Sequence, residues 1–264
     1  MFLETIVKHK RTELVHLKRE QPLDRLKERM TEVPPPRDFK GALTTSPTAG
    51  NATTTRIIAE VKKASPSKGI IRENFNPVEL ASTFEENGAV ALSVLTDKKY
   101  FQGNMDYLAS IKHGTTAIPL LDKDFIIDPY QIYQARMYGA DAVLLIAAIL
   151  SDELLADYLA LTVQLGLSAL VEVHTLDELQ RVLAMNTPII GINNRNLTTF
   201  QVTTQTSREL LTYIPEGTLV VSESGIDSKK EIISLRERGV DAFLIGEALM
   251  REPDAGKKLR ELIN

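Results

Sequence analysis

From residue 56 onward the chain alternates between two kinds of segment. Short runs rich in Val, Ile, Leu and Ala occupy 56–62, 89–95, 117–122, 142–147, 168–173, 188–193, 218–223 and 242–246. Each has the length and β-branched content of a buried strand. Between them lie amphipathic stretches with apolar residues three and four apart, which predict helices over 77–87, 104–113, 129–138, 152–165, 176–185, 204–213 and 228–238, and a last one over 255–263. The punctuation agrees. Asn76, Asp128 and Ser151 stand where helix N-caps belong. Gly88, Gly139, Gly166 and Gly239 stand just past helical runs, where a left-handed residue ends a helix. Strand alternating with helix predicts a parallel sheet. Repetition on this scale favours an α/β fold closed as a (β/α)8 TIM barrel over an open doubly wound sheet. Gly139-Ala140-Asp141-Ala142 also echoes Gly239-Val240-Asp241-Ala242, half a barrel apart, although so short a match can arise by chance.

Upstream the pattern differs. Leu3, Ile6, Val7, Lys10, Leu14 and Leu17 follow helical spacing until Pro22, and Leu23–Met30 reads as a second short helix. Pro34-Pro35-Pro36 cannot be helix interior. Residues 44–55, rich in Thr, Ser, Gly and Asn, are expected to form a flexible surface loop. The expected organisation is one domain over 1–264, with a helical extension at 1–45 and the barrel at 56–264.

Composition narrows the function classes. The 264 residues carry a net charge of −4 and no cysteine, which excludes disulfides, thiolate catalysis and cysteine-ligated metal. No basic stripe suggests a nucleic-acid partner. The longest apolar run, Ala142–Leu150, is far short of the roughly 20 residues a bilayer span needs. Met1-Phe2-Leu3-Glu4 does not open like a signal peptide, so a cytoplasmic protein is expected. His9, His16 and His113 fall in helices, no His/Asp/Glu spacing suits a metal, and no metal is expected.

The chemistry stands out as polarity at strand ends. Residues two apart in a strand share a face, so Ile58, Glu60 and Lys62 point the same way. A structural ion pair would explain one such case. The pattern recurs, however, at Leu121-Asp122-Lys123, at Leu170-Val171-Glu172, at Asn193-Asn194-Arg195 and at Ser222-Glu223-Ser224. In a barrel these carboxyl ends converge on one face, where active sites of this fold sit. Asp122 has the opposite parity from Lys123 and is expected to point away from the axis. His174, just past its strand, is expected to be a surface or capping residue. Ser224-Gly225 and Gly246-Glu247 follow the last two strands, where barrels commonly bind phosphate and glycine lets backbone approach an anion.

These residues lie in longer motifs. Ile57-Ile58-Ala59-Glu60-Val61-Lys62-Lys63-Ala64-Ser65-Pro66-Ser67-Lys68-Gly69 resembles the signature of the indole-3-glycerol phosphate synthases. Similar to the same family are Pro34–Phe39, Lys99–Gly103, Lys123–Asp128, Val171–His174, Ile190–Leu197, Ser222–Ile226 and Phe243–Met250, so the resemblance spans nearly the whole chain. It implies closure of the indole ring from 1-(2-carboxyphenylamino)-1-deoxyribulose 5-phosphate, with loss of carbon dioxide and water and no cofactor. It implies Lys123 as general acid and Glu172 as the partner acid/base in dehydration. Lys62 would hold the substrate carboxylate and share the acid role, while Glu60 and Asn193 orient lysines and hydroxyls. Arg195 would add charge near the carboxylate. Ser65, Ser224, Gly225, Gly246 and the backbone of Glu247 would cradle phosphate, with Phe101 and Phe125 against the anthranilate ring. An acidic lysine is expected to have a lowered pKa, set by a neighbouring ammonium. The implied partner is a small phosphosugar–anthranilate molecule, and the implied state a monomer, with a weak dimer as the alternative. Phosphoribosylanthranilate isomerase, another phosphosugar barrel, relies on a cysteine that this chain lacks. A barrel that has lost catalysis and serves as a binding subunit would not need Glu60, Lys62, Lys123, Glu172, Asn193 and Ser224 together.

Overall fold

The computed structural model describes residues 2–44, 55–114 and 117–264. The loop expected at 44–55 therefore falls, apart from its two end residues, outside the described residues. Eight strands close into a parallel barrel: β1 (Arg56–Val61), β4 (Ala91–Leu95), β5 (Leu120–Lys123), β6 (Ala142–Ile146), β7 (Ser168–Val173), β8 (Ile189–Asn193), β9 (Leu219–Glu223) and β10 (Ala242–Ile245), with β1 paired to both β4 and β10. The two-residue strands β2 (Ala64–Ser65) and β3 (Gly69–Ile70) form a separate hairpin above β1. Helices α4 (Pro77–Glu86), α6 (Asp106–Gly114), α7 (Pro129–Met137), α8 (Asp152–Gln164), α9 (Leu176–Leu183), α10 (Gln205–Leu210), α11 (Lys229–Arg236) and α13 (Ala255–Ile263) follow the strands. Short α5 (Lys98–Phe101) and α12 (Glu247–Met250) lie at the carboxyl rim. Asn76, Asp128 and Ser151 accept hydrogen bonds from the helices they begin, and Gly88, Gly139, Gly166 and Gly239 all have positive φ.

The core has two shells. Strand residues of one parity, including Ile57, Val94, Val143, Val171 and Phe243, pack against the helices. The other parity fills the barrel: Ile58, Leu121, Leu144, Leu170, Val221 and Leu244. Phe39 and Leu43 of α3 (Phe39–Thr44), both at 0% exposure, join this interior set beside the amino ends of the strands. The N-terminal helices α1 (Phe2–Glu20) and α2 (Leu23–Met30) pack on α7 through Leu14, Leu26, Tyr130 and Met137.

The sequence echo has a physical basis. Asp141 donates its N–H to the Leu120 carbonyl at 2.8 Å and accepts the Leu120 N–H at 2.8 Å on Oδ2. Asp241 does the same to Val220, at 2.9 and 2.8 Å. Each aspartate thus clamps its strand to the preceding one at the amino rim, and its preceding glycine ends the helix before it. Asp141 also accepts the Arg37 N–H at 2.7 Å and the Lys112 ammonium at 2.5 Å. Replacing Asp141 with Ala removes the buried acceptor that ties Leu120, Arg37 and Lys112 together, and a loss of about 1–3 kcal/mol is expected. Urea unfolding should show this loss, smaller for Asp241→Ala, while kcat stays at the wild-type value.

Candidate active site

A cavity of about 530 Å³ opens at the carboxyl rim. All the residues singled out as site candidates line it: Glu60, Lys62 and Ser65 from the β1 side; Phe101, Lys123, Phe125 and Glu172; Asn193 and Arg195 after β8; and Ser224, Gly225, Gly246 and Glu247 after the last two strands. The parity argument explains why. Glu60 and Lys62 extend the inward row begun by Ile58, Lys123 that of Leu121, and Glu172 that of Leu170.

The floor of the cavity is a chain of charges. The Lys123 ammonium donates to Glu172 Oε2 at 2.9 Å and to Glu223 Oε2 at 2.7 Å. Lys62 pairs directly with Glu60. Glu223 belongs to the strand-end polar set but was assigned no role, although parity aims it inward: Leu219, Val221 and Glu223 share one face of β9. Two glycines make room for these carboxylates. A Cβ on Gly191 would collide with Glu223, and one on Gly246 would collide with Glu60. An isolated glycine in a strand marks such a close approach.

The electrostatics correct one expectation. The Lys123 pKa is raised, not lowered. Burial works against its charge, but Glu172, Glu223 and Glu60 outweigh that effect and hold it well above the ordinary lysine range. Glu172 resists burial through Lys123 and His174, which keep it well below the usual carboxylate range. Glu223 goes the other way. Burial and the neighbouring Glu172 outweigh Lys123 and push it up to about 7. The floor therefore holds a firm cation, a firm anion and a carboxyl group that carries or releases a proton near neutrality.

The positions held in reserve divide. Asp122 has the outward parity and accepts a 2.6 Å hydrogen bond from the Thr96 hydroxyl. Burial and the neighbouring Asp124 push it up to about 7. His174, expected on the surface or as a cap, is nearly buried beside the site, its Nε2 3.3 Å from Glu172 Oε1.

The turns after the last two strands, where phosphate binding is expected, are shaped by backbone. Ser224 and Gly225 both have positive φ, 65° and 74°, which turns the chain sharply after β9 and strains the serine. Asn194 supports that turn, donating to the Ser224 carbonyl and the Ser222 hydroxyl, each at 3.0 Å. Ser65 lines this cavity, and its buried hydroxyl has no hydrogen-bond partner. Asn193 Oδ1 accepts the Arg195 N–H at 3.0 Å. Glu247 lies 3.5 Å from the Arg195 guanidinium and 2.5 Å from that of Arg251, a further cation on the wall.

The apolar wall comes partly from the chain's beginning. Phe2, Leu3 and Ile6 of α1 line the cavity with Phe101 and Phe125, whose rings lie 6.1 Å apart. Phe2 packs edge-on against Tyr100 at 5.6 Å and Phe200 at 5.1 Å. Lys10, one helical turn beyond Ile6, is 4% exposed and bonds Asp124 at 2.9 Å, Asp97 at 3.1 Å and Glu13 at 3.1 Å. Asp97 and Asp124 in turn accept the backbone N–H groups of Phe101 and Phe125. Among the described residues, no cluster of His, Asp or Glu could hold a metal ion.

Comparison with known proteins bears on what this cavity does. A family profile described as indole-3-glycerol phosphate synthase matches residues 3–262. An indole-3-glycerol phosphate synthase of Roseiflexus castenholzii is 50% identical, covering 98% of this chain and 97% of its own. Those of Trichodesmium erythraeum and Legionella pneumophila are 49% and 47% identical, each over 99% of this chain and over 88% and 98% of their own. Among solved structures, thiamine phosphate pyrophosphorylase from Pyrococcus furiosus superimposes with a TM-score of 0.57 at 17% identity, over 80% of this chain and 94% of its own. A mandelate oxidase mutant does so with a TM-score of 0.58 at 13% identity, over 91% and 90%. At such identities these two speak for the barrel fold alone.

Proposed function

The chain belongs to the indole-3-glycerol phosphate synthase family, a carboxy-lyase of tryptophan biosynthesis, and we propose that the charged rim carries its ring closure as follows. The observation that bears most weight is the Lys123 ammonium held between Glu172 and Glu223 at the cavity floor. The substrate is 1-(2-carboxyphenylamino)-1-deoxyribulose 5-phosphate. Its phosphate sits on the backbone of Ser224, Gly225, Gly246 and Glu247, with the free Ser65 hydroxyl as a further donor. Its aromatic ring packs against the apolar faces of Phe101 and Phe125. Lys62 pairs with its carboxylate, and Arg195 adds positive charge nearby.

The ring carbon bearing the carboxylate attacks the ketone carbon, and the ketone oxygen takes a proton from Lys123 as the new carbon–carbon bond forms. Carbon dioxide leaves, and its bonding electrons return to the ring system. The new hydroxyl then departs as water, taking a proton from an acid on the floor. Loss of one C–H proton to Glu172 completes the indole. Glu223, with a pKa near neutrality, is suited to return the proton that Lys123 gives up. Glu60 and Asn193 orient Lys62 and the substrate hydroxyls. The chain works as a monomer with no added cofactor. No described helix is long and apolar enough to cross a membrane.

The test is direct. Purified protein given this substrate should develop indole fluorescence and release carbon dioxide in buffer without metal or cofactor. Folded protein that stays silent overturns the reading. Light scattering checks the monomer, and a dimer at micromolar concentration would contradict it.

A further inference from the structure

His174 is the first residue past β7, and its ring lies between two carboxylates. On the cavity side Nε2 is 3.3 Å from Glu172 Oε1. On the other side Nδ1 is 3.3 Å from Glu178 Oε2. Glu178 is itself fixed. It is the third residue of α9, its N–H donates to the Thr175 hydroxyl at 3.2 Å, and its carboxylate accepts the His174 backbone N–H at 2.7 Å. This is the reciprocal arrangement of a capping box, with the glutamate reaching one residue further back than usual. A plain helix cap needs only Thr175 and Glu178. It gives no reason for an imidazole whose other nitrogen is buried, makes no hydrogen bond in this geometry, and lies at ion-pair distance from Glu172.

We propose that His174 is a positioning residue: Glu178 holds its ring so that Nε2 orients the Glu172 carboxylate against Lys123. The inference rests on the reading of Glu172 as the acid/base. The charges facing the ring are Glu172 on its own strand and Glu178 on α9. Lys123 and Glu223 stand behind Glu172, and Arg208, Glu209 and Arg238 line the groove on its outer side. Burial opposes the imidazolium, but the two glutamates outweigh it and raise the His174 pKa to about 9. At neutral pH the ring is therefore a cation. It holds Glu172 ionised while Lys123 occupies the other carboxylate oxygen.

Replacement by a neutral residue should free Glu172 to rotate and let its pKa rise. Misplacing a reacting group by ~1 Å costs on the order of 10²-fold, so His174→Gln should lower kcat by about tenfold to 10²-fold. KM should change little, because the phosphate and ring contacts are untouched. The acid limb of the kcat profile should move to higher pH, since Glu172 must be ionised to accept the proton. Glu178→Gln, which keeps the shape and weakens the anchor, should move both readouts the same way by less. In a Glu172→Gln background, His174→Gln should add nothing.

The stability readout has its own sign. A histidine raised from 6.5 to about 9 contributes stability that is complete below 6.5 and lost as pH rises through 9. The difference in Tm between wild type and His174→Gln should shrink across that window. A His174→Gln protein that loses Tm but keeps kcat and its acid limb overturns the inference and leaves His174 as a cap. Full rate in Glu172→Gln alone would overturn the acid/base reading, and with it this inference.

Discussion

Lys123→Met is expected to lose turnover by about 10²–10⁴-fold, the contribution typical of a positioned proton donor, with a much smaller change in KM. The asymmetry follows from the cavity. In the proposed binding mode, phosphate, carboxylate and ring rest on the two glycine turns, Lys62 and the phenylalanines, none of which depends on Lys123. The second consequence is electrostatic. Lys123 is the charge that lets Glu172 remain an anion in a buried site beside Glu223. Without it the pair must share a proton, so the pKa of Glu172 rises. Carboxyls with raised folded pKa values stabilise below their unfolded pKa, near 4.5, and that stability is lost as pH rises. The variant should therefore lose Tm relative to wild type between about pH 5 and pH 8. Steady-state kinetics with thermal melts across pH measure both effects. Wild-type kcat in folded Lys123→Met would remove this residue from the chemistry.

Lys10→Met should cost about 3–5 kcal/mol, as expected when one member of a buried charge cluster is removed and the others stay. Asp97, Asp124 and Glu13 would keep their charges and lose their cation. Burial already pushes Asp124 upward, and Asp97 and Asp122 are fully buried nearby. The loss should be partly recovered at acid pH, where Asp124, already raised by burial, takes up a proton. It should also reach the substrate. Asp97 and Asp124 fix the N–H groups of Phe101 and Phe125, so loosening them blurs the ring pocket, and KM should rise. Urea unfolding, with proteolysis of α1 followed at pH 5 and pH 8, reads the first effect. An undisturbed midpoint and KM would mean that α1 is held by its apolar face alone.

The barrel was legible because its signals are periodic and local. Asn76, Asp128 and Ser151 cap within three residues, and each helix-ending glycine is set by its own φ. Strand parity reaches further, since it depends on nothing outside the strand, and it placed Glu60, Lys62, Lys123 and Glu172 on one face. Applied to β9 it also yields Glu223. What the sequence concealed is of two kinds. Elements such as α3, α5 and the β2–β3 hairpin are too short to show a period. The rest depends on partners distant in the chain. Lys10 stands in the apolar row of α1, between the buried Ile6 and Leu14. Its partner Asp124 lies 114 residues away, and no spacing rule joins them. His174 was discounted for the same reason, because its meaning comes from Glu172 turning back toward it. The high pKa of Lys123 depends on three carboxylates from three strands.

The aspartate clamps have a consequence for directed evolution. They stand at the amino rim, half a barrel apart, and the partners they hold, Leu120, Val220, Arg37 and Lys112, do not line the cavity. Stabilising changes often cost activity where a site needs its strain, as the left-handed Ser224 illustrates. Around Gly139–Ala142 and Gly239–Ala242 there is no such conflict. A library confined to those two segments should yield variants sorted by heat resistance alone, whereas one drawn from the upper rim would trade every degree gained against rate.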